Sequence, residues 1–158
     1  MKKTLVAYFT ASGVTGRVAE NVAKAAEANI FEIKPEVAYT EADLDWMDKQ
    51  SRSTIEMNDL DSRPAITGNV EAMSQYDTVF IGFPIWWYVA PTIINTFLEN
   101  NDFSEKKIAL FATSGGSGFG KTVEKLRPSV DESAKFISEK LLNSASKAEI
   151  EEWIKSII

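Results

Sequence analysis

The chain of 158 residues contains neither cysteine nor histidine. Without cysteine it can form no disulfide, no thiolate nucleophile and no thiol-ligated metal site. Without histidine it lacks Ser-His-Asp triads, imidazole acid–base steps and most zinc or non-haem iron sites. Redox chemistry in this chain would therefore require an organic cofactor, and no metal is expected.

Long apolar runs are also missing. No segment approaches the ~20 residues of a transmembrane helix, and there is no internal repeat, linker or low-complexity tract. The apolar run near the start breaks at Thr10 and no cleavage site follows, which favours a first strand over a signal peptide. We therefore expect a cytoplasmic protein without a membrane partner.

The charge is moderately acidic, with a net value of −6 and a pI of about 4.8. This argues against nucleic acid or an anionic membrane as the main partner and is compatible with basic protein partners. Hydrophobic residues make up 44% and charged residues 25%, which is ordinary for a globular protein. The length favours a single domain over residues 1–158.

Four short apolar segments alternate with helical patterns, and the alternation favours a fifth strand where local propensity alone would permit a helix. The continuous apolar runs are typical of strands covered on both faces. The predicted strands are Thr4–Phe9, Ile30–Ile33, Val79–Phe83, Ile108–Ala112 and, as a short edge strand, Ser133–Leu142. One predicted helix follows the first loop, and two more span Thr92–Glu99 and Phe119–Leu126. A last helix is predicted to begin at a capping box formed by Ser146 and Glu149. This alternation predicts an α/β fold with a five-stranded, doubly wound parallel sheet and helices on both faces.

The segment from Val37 to Asn69 is polar and long for a connector. Thr40 with Asp43 resembles a capping box, and a weak apolar stripe follows, so part of the segment should be helical. Asp59–Thr67 is expected to be a loop. A short helix is expected near residues 70–75. The sequence assigns this segment no role.

The first loop is Thr10-Ala11-Ser12-Gly13-Val14-Thr15. It joins a strand to a helix, so its amides lie at the positive end of the helix. Three hydroxyls and a glycine that tolerates positive φ can wrap a phosphate monoester. The loop has no lysine and no acid for a metal, so it is suited to holding a phosphate rather than transferring one. The alternative is an ordinary strand–helix turn with Thr and Ser caps.

The second loop is Pro84-Ile85-Trp86-Trp87-Tyr88. Ligands of open α/β sheets bind outside the carboxyl ends of strands, where this loop would lie. Consecutive residues of an extended loop point to opposite sides, so at least one tryptophan should face a cleft as a wall for a flat ring. The alternative is a core or dimer surface. The loop has no glycine, and a bulky residue at positive φ would cost about 1–2 kcal/mol there.

The third loop is Thr113-Ser114-Gly115-Gly116-Ser117-Gly118, after the fourth strand. Its glycines allow close backbone approach to a ligand, although it could also be a flexible surface loop. Residues 115–122 also satisfy G-x-x-x-x-G-K-[ST], the phosphate loop of nucleotide hydrolases. No apolar strand of the chain ends in an Asp that could hold magnesium, and the motif comes late. We therefore expect Lys121 not to bind a nucleotide phosphate.

The three loops follow the first, third and fourth strands, which are neighbours in the order 2-1-3-4-5. With their residues, they resemble the flavodoxin family over essentially the whole chain. The resemblance implies non-covalent FMN and electron transfer, with Thr10, Ser12, Val14 and Thr15 at the phosphate. Pro84–Tyr88 and Thr113–Gly118 would then flank the isoalloxazine. Val14 stands where asparagine is usual, and the third loop lacks the usual stacking aromatic.

The resemblance leaves the chemistry open between two redox functions. The loop from Pro84 to Pro91 is also similar to that of FMN- or FAD-dependent quinone reductases of the same fold. The alternative to an electron carrier is thus an NAD(P)H-dependent reductase of quinones or nitro compounds. A non-redox interaction module is disfavoured by the paired tryptophans. The implied partners are redox proteins or NAD(P)H, for a monomer or homodimer, and no catalytic residue stands out.

Overall fold

The computed structural model describes residues 3–114, 118–143 and 145–158. Its strands are β1 Lys3–Tyr8, β2 Asn29–Glu32, β3 Lys34–Pro35, β4 Ile66–Thr67, β5 Tyr76–Pro84, β6 Lys107–Thr113 and β7 Lys135–Leu141. Five of them form a parallel sheet in the order β2-β1-β5-β6-β7. Numbered among themselves, these strands have the order 2-1-3-4-5, so the predicted sheet is confirmed.

Helices cover both faces of this sheet. They are α1 Val14–Ala26, α2 Arg52–Asn58, α3 Thr92–Asn100, α4 Thr122–Leu126 and α5 Lys147–Lys155. Phe80 of β5 belongs to the core beneath α1 and α5, whereas Val79 and Ile81 belong to the core beneath α3 and α4. Burial of alternate residues on opposite faces explains the continuous apolar runs. Within the described ranges, none of the helices has the length and apolar character needed to cross a bilayer.

The carboxyl ends of β1, β5 and β6 lie side by side. Tyr8 pairs with Gly82, and Pro84 pairs with Thr113. The backbone N–H of Ile85 continues the pairing by donating to the Thr113 carbonyl at 2.9 Å. The three predicted loops therefore begin at one edge of the sheet.

The segment after β3 contains less helix than its sequence pattern suggests. Thr40 and Asp43 form the predicted reciprocal bonds, at 2.9 and 3.1 Å, but these open only a turn. Asp45 and Asp48 each accept a bond from the backbone N–H two residues later. Such local side-chain bonds compete with a helix, and α2 begins only after Ser51, whose hydroxyl caps it.

The expectation of a loop over Asp59–Thr67 is wrong at its end. Residues 66 and 67 form β4, which pairs antiparallel with β3. The Glu36 N–H extends the pair by donating to the Ala65 carbonyl at 2.9 Å, and Ile66 is buried in the core. Two-residue strands are too short to show an alternating pattern.

Two predicted helices are shorter than expected. The helix near residues 70–75 is a 3₁₀ turn over Met73–Gln75. The helix expected at Phe119 begins at Thr122, because Gly120 has a φ of 52°, outside the right-handed helical region. The edge strand and the last capping bond form as predicted, the Ser146 hydroxyl accepting from the Glu149 N–H at 3.1 Å.

Candidate functional site

The first loop leads directly into the amino end of α1. Gly13 has a φ of 92°, and no side chain in the described part of the chain caps the helix. Thr10 turns inward and accepts a bond from the Gly13 N–H at 3.0 Å. The first N–H groups of a helix have no partner within it, and the first turn of α1 contains no acidic residue. Because the helix dipole adds positive potential, this end of α1 favours an anion.

The hydroxyls of the first loop differ in their surroundings. Ser12 is exposed. Thr15 is 2% exposed, and its hydroxyl lies 2.7 Å from that of Thr113, so one of the two donates to the other. This bond joins the start of α1 to the end of β6. Val14 is exposed, and Ala11 is half-buried. The Ser12 side chain is therefore the hydroxyl of this loop best placed to meet a phosphate.

The second loop is a two-residue hairpin. Trp86 and Val89 exchange two backbone hydrogen bonds of 3.0 and 3.1 Å. The central residues Trp87 and Tyr88 have φ values of 50° and 66°, as in a type I′ turn, which usually contains Asn-Gly. Positive φ therefore occurs here without glycine, at a backbone cost of about 1–2 kcal/mol per residue.

The three aromatic residues of this hairpin have different environments. Trp86 is half-buried, its ring packing edge-on against Phe9 at 5.7 Å and Tyr39 at 5.5 Å between centroids. Trp87 and Tyr88 are 43% and 65% exposed. One ring is thus anchored to the core while the next two stand at the surface.

The third loop is only partly covered by the described residues. Gly115 and Gly116 lie outside them, and Gly118 is exposed. Thr113 is buried at the end of β6, and the Ser114 N–H donates to Asn143 Oδ1 at 2.8 Å. The expectation that this loop flanks a ring remains a prediction.

Gly120 has a structural role that the sequence did not reveal. A Cβ atom on this residue would overlap the Tyr88 carbonyl. Its φ of 52° also favours glycine. The segment after the third loop therefore packs against the aromatic hairpin and helps to hold its unusual turn.

A cleft of about 670 Å³ joins the first two loops. It is lined by Ala11, Ser12, Leu44, Trp46, Ser53, Pro84, Ile85, Trp86, Trp87 and Tyr88. Its volume is in the range of cofactor and small-molecule sites. The cleft therefore combines the anion-favouring end of α1 with an aromatic wall.

Three of the lining residues, Leu44, Trp46 and Ser53, come from a segment to which the sequence assigned no role. Arg52 of α2 anchors this segment. Its guanidinium donates to the Val37 carbonyl at 2.7 Å and to Glu56 at 3.1 Å, and lies 3.8 Å from the centre of the Tyr39 ring. Tyr39 in turn donates to Glu56 at 2.5 Å. Burial, reinforced by Glu56, raises the pKa of Tyr39 far above its ordinary value.

The lining fits a ligand with a flat ring and an anionic end. Most of the wall is aromatic or aliphatic, whereas Ser12 and the start of α1 are polar. Ser53 is only 2% exposed, and its hydroxyl has no hydrogen-bond partner among the described residues. A buried polar atom without a partner is costly, so a ligand group that bonds it would add to affinity.

The family model described as flavodoxin matches residues 3–157. The chain belongs to the flavodoxin family. Among solved structures, it is similar to candidate flavoproteins from Bacteroides uniformis (47% identity, TM-score 0.90, 98% of each chain covered) and Bacteroides eggerthii (44%, 0.90, 99% of this chain and 98% of that one). A flavoprotein in complex with FMN from Lactobacillus acidophilus shares the fold at 24% identity and a TM-score of 0.71, with 97% of this chain and 99% of that chain covered. A comparison with curated proteins finds no match.

The nucleotide-hydrolase motif has another use in this flavodoxin-family chain. Thr122, at the position of the magnesium ligand in that motif, is fully buried, and its hydroxyl donates to the Phe119 carbonyl at 2.5 Å. Gly120 is needed against Tyr88. These contacts account for both residues without a nucleotide.

Proposed function

We propose that the protein binds FMN and transfers electrons to and from partner proteins. The observation that carries the proposal is the cleft, which joins the loop before α1 to an aromatic hairpin. The first turn of α1 has no acidic residue, and among the described residues no side chain caps it. Family membership and flavoprotein neighbours, one of them with FMN bound, support it. Ser12 and the first N–H groups of α1 would hold the phosphate, and Trp86 to Tyr88 would line the ring. FMN, when bound, supplies the reversible uptake of electrons.

Binding of two flavins tests this proposal. FMN should bind the apoprotein more tightly than riboflavin, which lacks the phosphate. Ser12→Ala removes one charge-assisted hydrogen bond and should weaken FMN by about tenfold or more while leaving riboflavin unchanged. Thr15 is left intact because its hydroxyl is bonded to Thr113. Flavin fluorescence titrations measure both affinities, and equal losses for the two ligands would exclude this loop as the phosphate site.

A reductase is the second candidate, favoured by the exposure of Trp87 and Tyr88 at the cleft. Exposed rings there offer a surface on which a nicotinamide or quinone could stack. Steady-state oxidation of NAD(P)H by the FMN-loaded protein, with a quinone as acceptor, separates the candidates. Catalytic turnover supports the reductase, whereas its absence supports the carrier.

The distribution of charge supports a basic protein as redox partner. Residues 36–61 contain eight Asp and Glu but only two Lys and Arg, a net −6 that equals the net charge of the whole chain. Part of this segment lines the cleft, and complementary charge accelerates docking. Electron transfer to such a partner should slow as salt is added; a rate independent of ionic strength would contradict this.

A further inference from the structure

Two buried hydroxyls have no hydrogen-bond partner among the described residues, those of Ser53 and Thr96. Their positions differ. Ser53 is in the first turn of α2 and lines the cleft. Thr96 is in α3 and is not among the residues that line it. Native proteins bond most buried polar groups, so each exception calls for an explanation.

Ser53 is held firmly in its position. Its own N–H donates to the Asp43 carbonyl at 3.0 Å. The neighbouring Ser51 caps α2, and Arg52 ties the helix to Val37 and Tyr39. Several contacts therefore fix the backbone that carries the Ser53 hydroxyl.

The other described residues that line the cleft do not provide a hydrogen-bond partner for the Ser53 hydroxyl. Leu44 and Trp46, from the same segment of the chain, have apolar bodies, and Pro84 and Ile85 belong to the second loop. The groups suited to a phosphate, Ser12 and the start of α1, belong to a different loop. Ser53 thus adds a polar residue to a lining that is otherwise mostly apolar.

We propose that Ser53 forms a hydrogen bond with the polar edge of the flavin ring, and that residues 44–53 form the outer wall of the flavin site. This inference rests on the proposed function. A ring contact is shared by FMN and riboflavin, whereas a phosphate contact belongs to FMN alone. Substitution of Ser53 should therefore lower the affinity for both flavins, whereas substitution of Ser12 should lower the affinity for FMN alone.

The test compares Ser53→Ala, Thr96→Val and Ser12→Ala with the unaltered protein. Each variant removes one hydroxyl. Ser53→Ala should weaken FMN and riboflavin by the same factor, about fivefold to tenfold. Thr96→Val should leave both affinities unchanged, and Ser12→Ala should weaken FMN alone.

Stability of the ligand-free protein supplies a second readout. Because Ser53→Ala removes a buried hydroxyl that has no partner within the described ranges, it should not lower the urea midpoint of the apoprotein. Unchanged binding of both flavins to Ser53→Ala would overturn the inference and leave the proposed function intact. A lower apoprotein midpoint would overturn it too, by assigning the hydroxyl a structural bond. Failure of the unaltered protein to bind either flavin would overturn both proposals.

Discussion

Trp87 and Tyr88 adopt left-handed backbone conformations that aromatic residues rarely occupy. The surroundings maintain them. Trp86 and Val89 close the hairpin with two hydrogen bonds, and Gly120 fits against the Tyr88 carbonyl. Such strain is found where the surrounding structure holds a functional loop in place. Here it brings two large rings to the cleft.

We expect glycine to be more stable than alanine at position 88. Within a helix or strand, alanine usually makes a protein more stable than glycine does, by roughly 0.5–1 kcal/mol. At positive φ, however, a Cβ atom costs about 1–2 kcal/mol. Tyr88→Gly should therefore have a free energy of unfolding about 1 kcal/mol above that of Tyr88→Ala. Urea denaturation of the two apoproteins measures the difference. Since both variants lack the ring, the comparison measures the backbone contribution alone. If Tyr88→Ala were the more stable variant, position 88 would not be strained.

Sequence reasoning could locate these residues but not their conformation. A strand that ends at Pro84 and continues into aromatics places the loop at the edge of the sheet. The turn type depends on closure of the Trp86–Val89 pair and on Gly120, which is distant in the chain. Likewise, nothing in the first loop indicates that the Thr15 hydroxyl is bonded to Thr113.

Helix α2 and the turns before it form the element that the sequence describes least well. The central strands β1, β5 and β6 were predictable because a continuous apolar run indicates a buried strand without information about its partners. The edge strand β7 was predictable only from the alternation of strands and helices along the chain. The positions of residues 37–58 instead depend on contacts between residues far apart in the chain, such as Arg52 with Val37 and Tyr39 with Phe9. Polar residues with several possible local bonds do not determine such contacts.

Arg52→Met should loosen this element. The variant keeps the aliphatic stem but loses the bonds to Val37 and Glu56 and the charge over Tyr39. We expect a decrease of about 2 kcal/mol in the free energy of unfolding, because a partly buried group loses charge-assisted bonds. Arg63→Met is the control, since the Arg63–Glu99 pair is more exposed and should contribute less than about 1 kcal/mol.

Hydrogen exchange locates the effect of Arg52→Met. Amides of residues 38–58 should exchange faster in this variant, while those of β5 and β6 should not. An Arg63→Met protein destabilised as strongly as Arg52→Met would show that Arg52 is not the anchor of this element.

At the scale of the whole molecule, the absence of histidine and cysteine removes the side chains that normally titrate near neutrality. The pKa values that depart from their ordinary range belong to carboxyl groups at acidic pH and to tyrosines at alkaline pH. The bond from Arg63 lowers the pKa of Glu99, and bonds from Ser104 and Ser133 lower the pKa values of Asp102 and Asp131. Burial raises the pKa values of Tyr8 and Tyr39 above 10.

These directions predict a flat stability profile from about pH 6 to pH 9. A carboxyl with a lowered pKa stabilises the fold above its ordinary value of 4.5 for Glu99, and this stability is lost as the pH falls through the folded pKa. A tyrosine with a raised pKa stabilises the fold at pH values below its ordinary pKa of 10, and this stability is lost as the pH rises through the pKa of the folded state. Urea unfolding of the apoprotein across pH measures the profile. Glu99→Gln should flatten the acid limb, and a maximum near pH 6.5 would reveal a titrating group outside this set.

The pairing of β3 with β4 has a consequence for how the molecule can change. Because Glu36 and Ala65 are joined by a hydrogen bond, the chain between them leaves and returns at one point. Residues 37–64 therefore form a cassette whose length and composition can vary without altering the register of the five-stranded sheet. The cassette supplies Leu44, Trp46 and Ser53 to the cleft, whereas the first loop and the aromatic hairpin follow strands of the sheet. Exchange of this one segment would change the lining of the cleft while the amino end of α1 and the aromatic hairpin are retained.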